Sequence, residues 1–212
     1  MIKPISGVIG WPISHSKSPF IHRYWLKKNK IQGEYRSLSI EPKNFPSELK
    51  ILPSKGFVGA NVTIPHKEAA LKNATLATNR AHSIGAANTL VFLPNGGYHA
   101  DNTDGEGFIN NLKQNAPNWD ASIGPAFVIG AGGASRAILY SLLANGAPEI
   151  LLANRTKSRA ERLAAEFGKR ITVIDWADIS LATAKATTIV NTTSLGMTGQ
   201  AELEITLQCS PN

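Results

Sequence analysis

The chain has 212 residues, 42% apolar and 17% charged, an ordinary globular balance with room for one large domain or two small ones. No stretch approaches the roughly 18 apolar residues of a membrane span, no secretory leader precedes the short run Val8-Ile9-Gly10-Trp11, and a single cysteine, Cys209, excludes an intrachain disulfide and fits a reducing cytoplasm. The net charge of +7 favours anionic partners, but its cations are scattered, with no run longer than Lys27-Lys28, so a phosphorylated cofactor or a carboxylate fits better than nucleic acid, which needs a basic cluster or stripe.

Short apolar runs alternate with helical patterns, which reads as α/β with mostly parallel strands. A first strand is expected at Ile5–Gly10. Ser18-Pro19 then reads as an N-cap followed by a proline at the first helical position, opening a helix with Ile21, Trp25 and Leu26 as its buried stripe. Strand Tyr35–Ile40, a helix from Pro42 to about Leu52 and strand Phe57–Val62 follow, and Pro65 sits where another helix could start. Asn88–Phe92 is extended, and Pro94-Asn95-Gly96-Gly97 reads as a hairpin turn. Asp104-Gly105 leads into a helix carrying Phe108, Ile109 and Leu112. The polar stretch Asn115–Gly124 looks like the join to a second unit. That unit reads as strand Ala126–Ile129, helix Ala134–Leu143, strand Glu149–Ala153, helix Lys157–Phe167, strand Ile171–Ile174, helix Trp176–Ala182 and strand Thr188–Asn191.

The most informative local pattern is Gly130-Ala131-Gly132-Gly133-Ala134-Ser135. It follows a strand and opens a helix, the context that a dinucleotide-binding turn requires. Gly130 permits the tight turn, Gly132 lets backbone approach a pyrophosphate, and the helix N-terminus faces negative charge. Ser135 replaces the third glycine of the usual pattern. At the end of the next strand an NAD site wants an acidic residue for the ribose 2′-hydroxyl. The chain instead has Asn154-Arg155-Thr156, with Arg159 one turn later. Guanidinium groups at a helix start sit against the dipole unless an anion lies between them, and their planar forks suit a 2′-phosphate. NADP is therefore favoured over NAD.

In the first half, polar residues gather at the expected strand ends, where open α/β sheets bind ligands. Ser14-His15-Ser16-Lys17-Ser18 offers hydroxyls ahead of a helix N-terminus, a place for a carboxylate. Lys67 falls in the first turn of a helix, where a cation is disfavoured and proton release is eased. A Lys67–Asp104 pair beside a hydroxyl could relay its proton while hydride leaves the same carbon.

Taken together, Ser16-Lys17-Ser18-Pro19, Asn61-Val62-Thr63-Ile64-Pro65-His66-Lys67, Gly85-Ala86-Ala87-Asn88-Thr89, Asp101-Asn102-Thr103-Asp104-Gly105, Gly130–Ser135 and Asn154-Arg155-Thr156 resemble the shikimate dehydrogenase family in order and spacing, from about Ile5 to Gly199. The resemblance implies an N-terminal α/β substrate domain, residues 1–104, and a Rossmann-like NADP-binding domain, residues 105–212, incomplete at its C-terminal end. It implies that Ser16 and Ser18 hold a substrate carboxylate, that Asn61, Thr63, Asn88 and Asp104 bind ring hydroxyls, and that Lys67 and Asp104 are the catalytic pair. Gly130, Ala131, Gly132, Gly133, Ala134, Ser135, Asn154, Arg155, Thr156 and Arg159 would bind NADP, with Thr192 and Thr193 in the strand-end loop Asn191–Met197 nearby. No metal is implied. The implied reaction is reversible, NADPH-dependent reduction of 3-dehydroshikimate to shikimate by a cytoplasmic monomer or homodimer, a step of aromatic amino-acid biosynthesis. Alternatives are an enzyme that also takes quinate and a shortened, non-catalytic NADP-binding remnant. Asn79 stands where many family members have an acidic residue. Family members also continue for several dozen residues and supply a tyrosine, a glutamine and a glycine-rich turn that are expected to be missing here.

Overall fold

A computed structural model describes residues 3–207; Cys209 lies outside them. Contacts divide the chain after Thr103 into two compact units.

The first unit is a six-stranded sheet in the order β2-β1-β3-β5-β6-β4. Its strands are β1 (Ile5–Gly10), β2 (Glu34–Ser39), β3 (Phe57–Val62), β4 (Leu76–Ala77), β5 (Thr89–Phe92) and β6 (Tyr98–Asp101). β1 runs parallel to β2 and β3, but β5 is antiparallel to both β3 and β6. The first sheet is thus mixed, but β6 pairs parallel with β4, so β5 alone runs against the other five strands and the expectation of mostly parallel strands holds in both units. The cause is the turn at Pro94–Gly97, which returns the chain directly beside β5 where a parallel neighbour would need a crossover.

One face of this sheet carries the larger core. Ile9, Phe57, Val62 and Leu90 pack with Phe45 and Leu49 of α2 (Phe45–Ile51) and with Leu52 just after it. A side chain buried as completely as Phe45 contributes about 1.5–3 kcal/mol relative to exposure. The opposite face holds a small cluster of Val8, Ile13 and Tyr35 with Leu26 against it. Leu26 belongs to α1 (Ser18–Lys28), which has no fully buried residue. The expected stripe of Ile21, Trp25 and Leu26 is therefore wrong for two of its three members, since Ile21 and Trp25 are 41% and 51% exposed. The helix meets the sheet through Leu26 and through His22, whose ring stacks on Tyr35 at 4.0 Å, a face rotated by about one residue from the one that periodicity picks out.

Three local expectations also change. Ser18 is the first residue of α1, and Lys17 is the N-cap; the hydroxyl that accepts from the helix start is that of Ser16, from Ser18 N–H at 3.3 Å. Pro65 lies in a turn, and α3 (Lys67–Lys72) starts two residues later. Strand β4 and α4 (Asn79–Ile84) were not expected; α4 is capped by the Thr78 hydroxyl, which accepts from Ala81 N–H at 3.1 Å, and closes with Gly85 at φ 74°.

The second unit begins with α5 (Asp104–Asn115), whose first turn carries Asp104 and Glu106 as the helix dipole favours. Its four strands, β7 (Ala126–Ile129), β8 (Ile150–Ala153), β9 (Ile171–Ile174) and β10 (Thr188–Asn191), are all parallel in the order β10-β7-β8-β9. The central strands β7 and β8 are buried on both faces, and Val128, Ile150 and Leu152 pack with Leu139 and Leu142 of α6 (Gly133–Ala144) and Leu163 of α7 (Lys157–Phe167). The remaining helical segment, Trp176–Thr183, is a 3-10 turn running into α8 (Ile179–Thr183). Among the described residues no helix is long and apolar enough to cross a membrane.

Candidate active site

In the first unit, ladder bonds continue past the strand ends and draw several loops together. Thr63 N–H donates to Ile9 C=O at 2.8 Å and Trp11 N–H to Ile64 C=O at 3.0 Å, so the chain after β1 runs beside the chain after β3. Val62 N–H donates to Asn88 C=O at 2.8 Å, Ala87 N–H to Lys67 C=O at 2.9 Å, and Asn88 N–H to Asp101 C=O at 2.9 Å. These bonds bring Asn61, Thr63, Lys67, Asn88 and the Asp101–Thr103 segment to one end of the sheet. Ser16, Ser18, Asn61, Thr63, Lys67 and Asn88 are all half-buried, as is Asp104 at the start of α5. Such side chains are held by the fold yet reachable by a ligand.

Lys67 is positioned by its neighbour. His66 is fully enclosed, stacks on Phe45 at 4.4 Å, and its Nε2 pairs with Ile40 C=O at 2.7 Å. Burial holds its imidazole below the ordinary range against the opposing pull of that carbonyl, so the neutral ring donates to Ile40 and locks the turn from which α3 and Lys67 emerge.

Asp101 anchors the other side. It accepts a forked pair from Arg80, Nε to Oδ1 at 3.1 Å and a terminal nitrogen to Oδ2 at 2.6 Å, together with the Thr78 hydroxyl at 2.7 Å and Asn102 N–H at 2.7 Å. Partial burial pushes this carboxyl up, but the Arg80, Thr78 and Asn102 donors outweigh it and bring it down to about 2. Asn102 is fully buried and donates to Ala86 C=O at 2.8 Å, which fixes the path of Thr103 towards Asp104. Tyr35, Arg80, Asp101 and Thr89 were missed from the sequence as site-building groups. Only the runs Gly85-Ala86-Ala87-Asn88-Thr89 and Asp101-Asn102-Thr103-Asp104 carried a local signal, for Thr89 and Asp101.

In the second unit, the turn after β7 is tied by its own polar groups. Gly130 has φ 110°, and a Cβ there would lie 2.5 Å from Thr192 Oγ1, so both backbone sterics and the β10 neighbour require glycine. A Cβ on Gly132 would meet nothing within 4 Å. That open space fits a pyrophosphate cradle whose first-turn N–H groups, at Gly133–Ser135, have no helical partner. Several expected cofactor residues support this turn with their side chains. The Ser135 hydroxyl donates to Gly130 C=O at 2.7 Å, the Asn154 carboxamide accepts from Ala131 N–H at 3.1 Å and donates to Thr156 C=O at 2.8 Å, and the Thr192 hydroxyl donates to Ile129 C=O at 2.7 Å. The Thr193 hydroxyl donates to Asn191 Oδ1 at 2.7 Å. Arg155 and Arg159 are exposed at the start of α7, and Arg155 lines a pocket of about 320 Å³ with Trp176, Leu195, Glu202 and Glu204. The turn lies between β7 and its neighbours β8 and β10, where the strand order reverses, the usual place for a nucleotide. The fold and these sites together define a dinucleotide-dependent α/β oxidoreductase with a separate substrate unit.

Comparison with known proteins refines that class. Residues 8–90 match the model for the shikimate dehydrogenase substrate binding domain, and residues 113–198 match the model for shikimate / quinate 5-dehydrogenase. The shikimate dehydrogenase (NADP(+)) of Paracoccus denitrificans is 53% identical over 97% of this chain and 73% of its own length. Among solved structures, shikimate dehydrogenase from Aquifex aeolicus superposes with a TM-score of 0.85 at 32% identity, covering 96% of this chain and 74% of that one. The Thermus thermophilus shikimate 5-dehydrogenase, solved in complex with NADP(H) and shikimate, does so at 0.78 and 34%, covering 92% and 70%. The chain belongs to the shikimate dehydrogenase family and spans about three quarters of the length of these relatives.

Proposed function

We propose that this chain is an NADP-dependent oxidoreductase that interconverts 3-dehydroshikimate and shikimate. The observation that carries the reading is the gathering of half-buried Asn61, Thr63, Lys67 and Asn88 at one end of the sheet, with half-buried Ser16 and Ser18 at the start of α1, in a member of a family whose curated relatives bear that name. Residues 1–104 act as the substrate domain and residues 105–212 as the cofactor domain.

When bound, the reduced cofactor supplies hydride to the substrate's carbonyl carbon. Backbone N–H groups of Gly132, Gly133, Ala134 and Ser135 hold its pyrophosphate, while Gly130, Ala131, Asn154, Thr156, Thr192 and Thr193 fix the surrounding turns. Arg155 and Arg159 receive the 2′-phosphate with forked, permanently charged donors. Ser16 and Ser18 donate to the substrate carboxylate, and Asn61, Thr63 and Asn88 hold the ring hydroxyls. As hydride arrives, negative charge grows on the carbonyl oxygen; the Lys67 ammonium donates a proton to it, and Asp104 orients and balances that ammonium. In the opposite direction Lys67 takes the proton back.

A second reading, activity on quinate as well, is favoured by the description of the family model that matches residues 113–198. A reducing cytoplasm, small-molecule partners without nucleic acid or membrane, and a monomer or homodimer complete the proposal; they rest on the lone cysteine and the scattered cations. Loss of NADPH absorbance on mixing the folded chain with 3-dehydroshikimate tests the activity, and parallel runs with quinate and NAD(+) test the second reading. Cofactor binding without any turnover would support a binding-only protein instead.

A further inference from the structure

Hydrogen bonds in the first unit form a chain with a direction. The Tyr35 hydroxyl, on a side chain only 4% exposed, donates to Asn61 Oδ1 at 2.8 Å. The Asn61 Nδ2 group, at longer range, faces Asn88 C=O at 3.4 Å and Thr89 Oγ1 at 3.5 Å, both acceptors. The Thr89 hydroxyl donates to Asn88 Oδ1 at 2.8 Å, and Thr103 N–H donates to the same oxygen at 3.0 Å. The Asn88 Nδ2 group lies 3.1 Å from Thr103 Oγ1. From β2 the links run across β3 and β5 to Asn88 Oδ1, which Thr103 N–H and the Thr103 hydroxyl, at 3.3 Å, meet from the other side. A carboxamide's oxygen and nitrogen are nearly interchangeable in shape, so something must decide which end it offers. Here both amide oxygens are occupied from within.

We infer that Tyr35 is a positioning residue for the proposed reaction: its hydroxyl occupies Asn61 Oδ1 and so fixes the orientation of the Asn61 carboxamide beside Asn88 and Thr89. The inference rests on the assignment of Asn61 and Asn88 to substrate binding made above. Burial raises the Tyr35 phenol well above its ordinary range, which keeps it a neutral donor at all working pH values. His22 stacked on the ring at 4.0 Å and the small cluster of Val8 and Ile13 hold it in place.

Tyr35→Phe removes one oxygen and keeps the ring. With asparagine labelled in the intact, ligand-free chain, this variant should shift the side-chain amide signals of Asn61 and Asn88; unmoved signals overturn the inference. In steady state it should raise the KM for 3-dehydroshikimate about five- to tenfold, the worth of one hydrogen bond, with kcat changed less than about twofold and NADPH affinity unaltered. In an Asn61→Ala background the same change should add less than about twofold. A full further loss there would mean that Tyr35 acts through something other than Asn61, and would overturn the inference. A wild-type chain that fails to reduce 3-dehydroshikimate removes the proposed function alone, because the amide spectra still decide the role of Tyr35.

Discussion

In the proposed cofactor turn the binding groups are the backbone N–H groups of four consecutive residues, Gly132–Ser135, while the N–H groups of Gly130 and Ala131 and the side chains of Ser135 and Asn154 hold the turn. In the proposed substrate site the binding groups are the Asn61 and Asn88 side chains, oriented by Tyr35, Thr89 and Thr103 from three strands and two loop segments. The first region recognises charge, which any well-aimed amide can do, so it needs space and a dipole more than particular side chains. The second recognises the placement of hydroxyls, so it needs fixed donors and acceptors. In the proposed reaction, Lys67 and Asp104 add the proton chemistry that neither region can supply.

The comparison breaks most sharply at Lys67. Lys67→Ala should lower kcat/KM for 3-dehydroshikimate by about 10³-fold, within the range of general acid–base catalysis, while NADPH titration gives an unchanged affinity; a parallel loss of cofactor binding would merge two regions held here to be separate. Next, Arg155→Ala should weaken NADPH by about 10- to 100-fold, the scale of a charge-assisted hydrogen bond, with NADH affinity nearly constant by fluorescence titration. The two glycines of the turn sharpen the contrast within one region. Gly130→Ala should cost about 1–3 kcal/mol of stability through its positive φ and the Thr192 clash, visible as a lower melting temperature. Gly132 has extended backbone at φ −109° and open space around it, so Gly132→Ala should keep the melting temperature and weaken NADPH by about tenfold through steric conflict with the pyrophosphate.

The smallest effect concerns acid stability. Asp101 sits at about 2 in the folded chain, below its ordinary 3.8. A carboxyl depressed on folding adds stability above its unfolded value and loses it as pH falls through the folded one. Melting curves of wild type should therefore fall from about pH 4 to pH 2 more steeply than those of Asp101→Asn, and equal slopes would show that the Arg80 fork contributes nothing.

How much the sequence reveals follows the same division. The phosphate turn is contiguous, so Gly130, Gly132 and the helix start are legible in a single stretch, and four parallel strands follow from apolar runs alone. Asn61, Lys67 and Asn88 are legible by family resemblance. Tyr35 is not, because it reads as one more aromatic in a strand, and its hydroxyl acquires a role only when β1 places β2 and β3 on either side of itself. The antiparallel β5 escapes for a related reason, since apolar runs do not state direction. The exposed Ile21 and Trp25 show the limit of helical periodicity: spacing names a face, but the sheet decides which face is used.

The central claim is that Lys67 and Asp104 handle the proton of a substrate whose hydride partner rests on the glycine turn. A crystal structure of the chain with NADP(+) and shikimate tests it most directly. The account predicts Lys67 Nζ and an Asp104 carboxylate oxygen within hydrogen-bond reach, about 2.6–3.2 Å, of the same substrate hydroxyl, with the pyrophosphate on the N–H groups of Gly132–Ser135. Shikimate bound with Lys67 turned to solvent, or a cofactor lodged away from that turn, would contradict it.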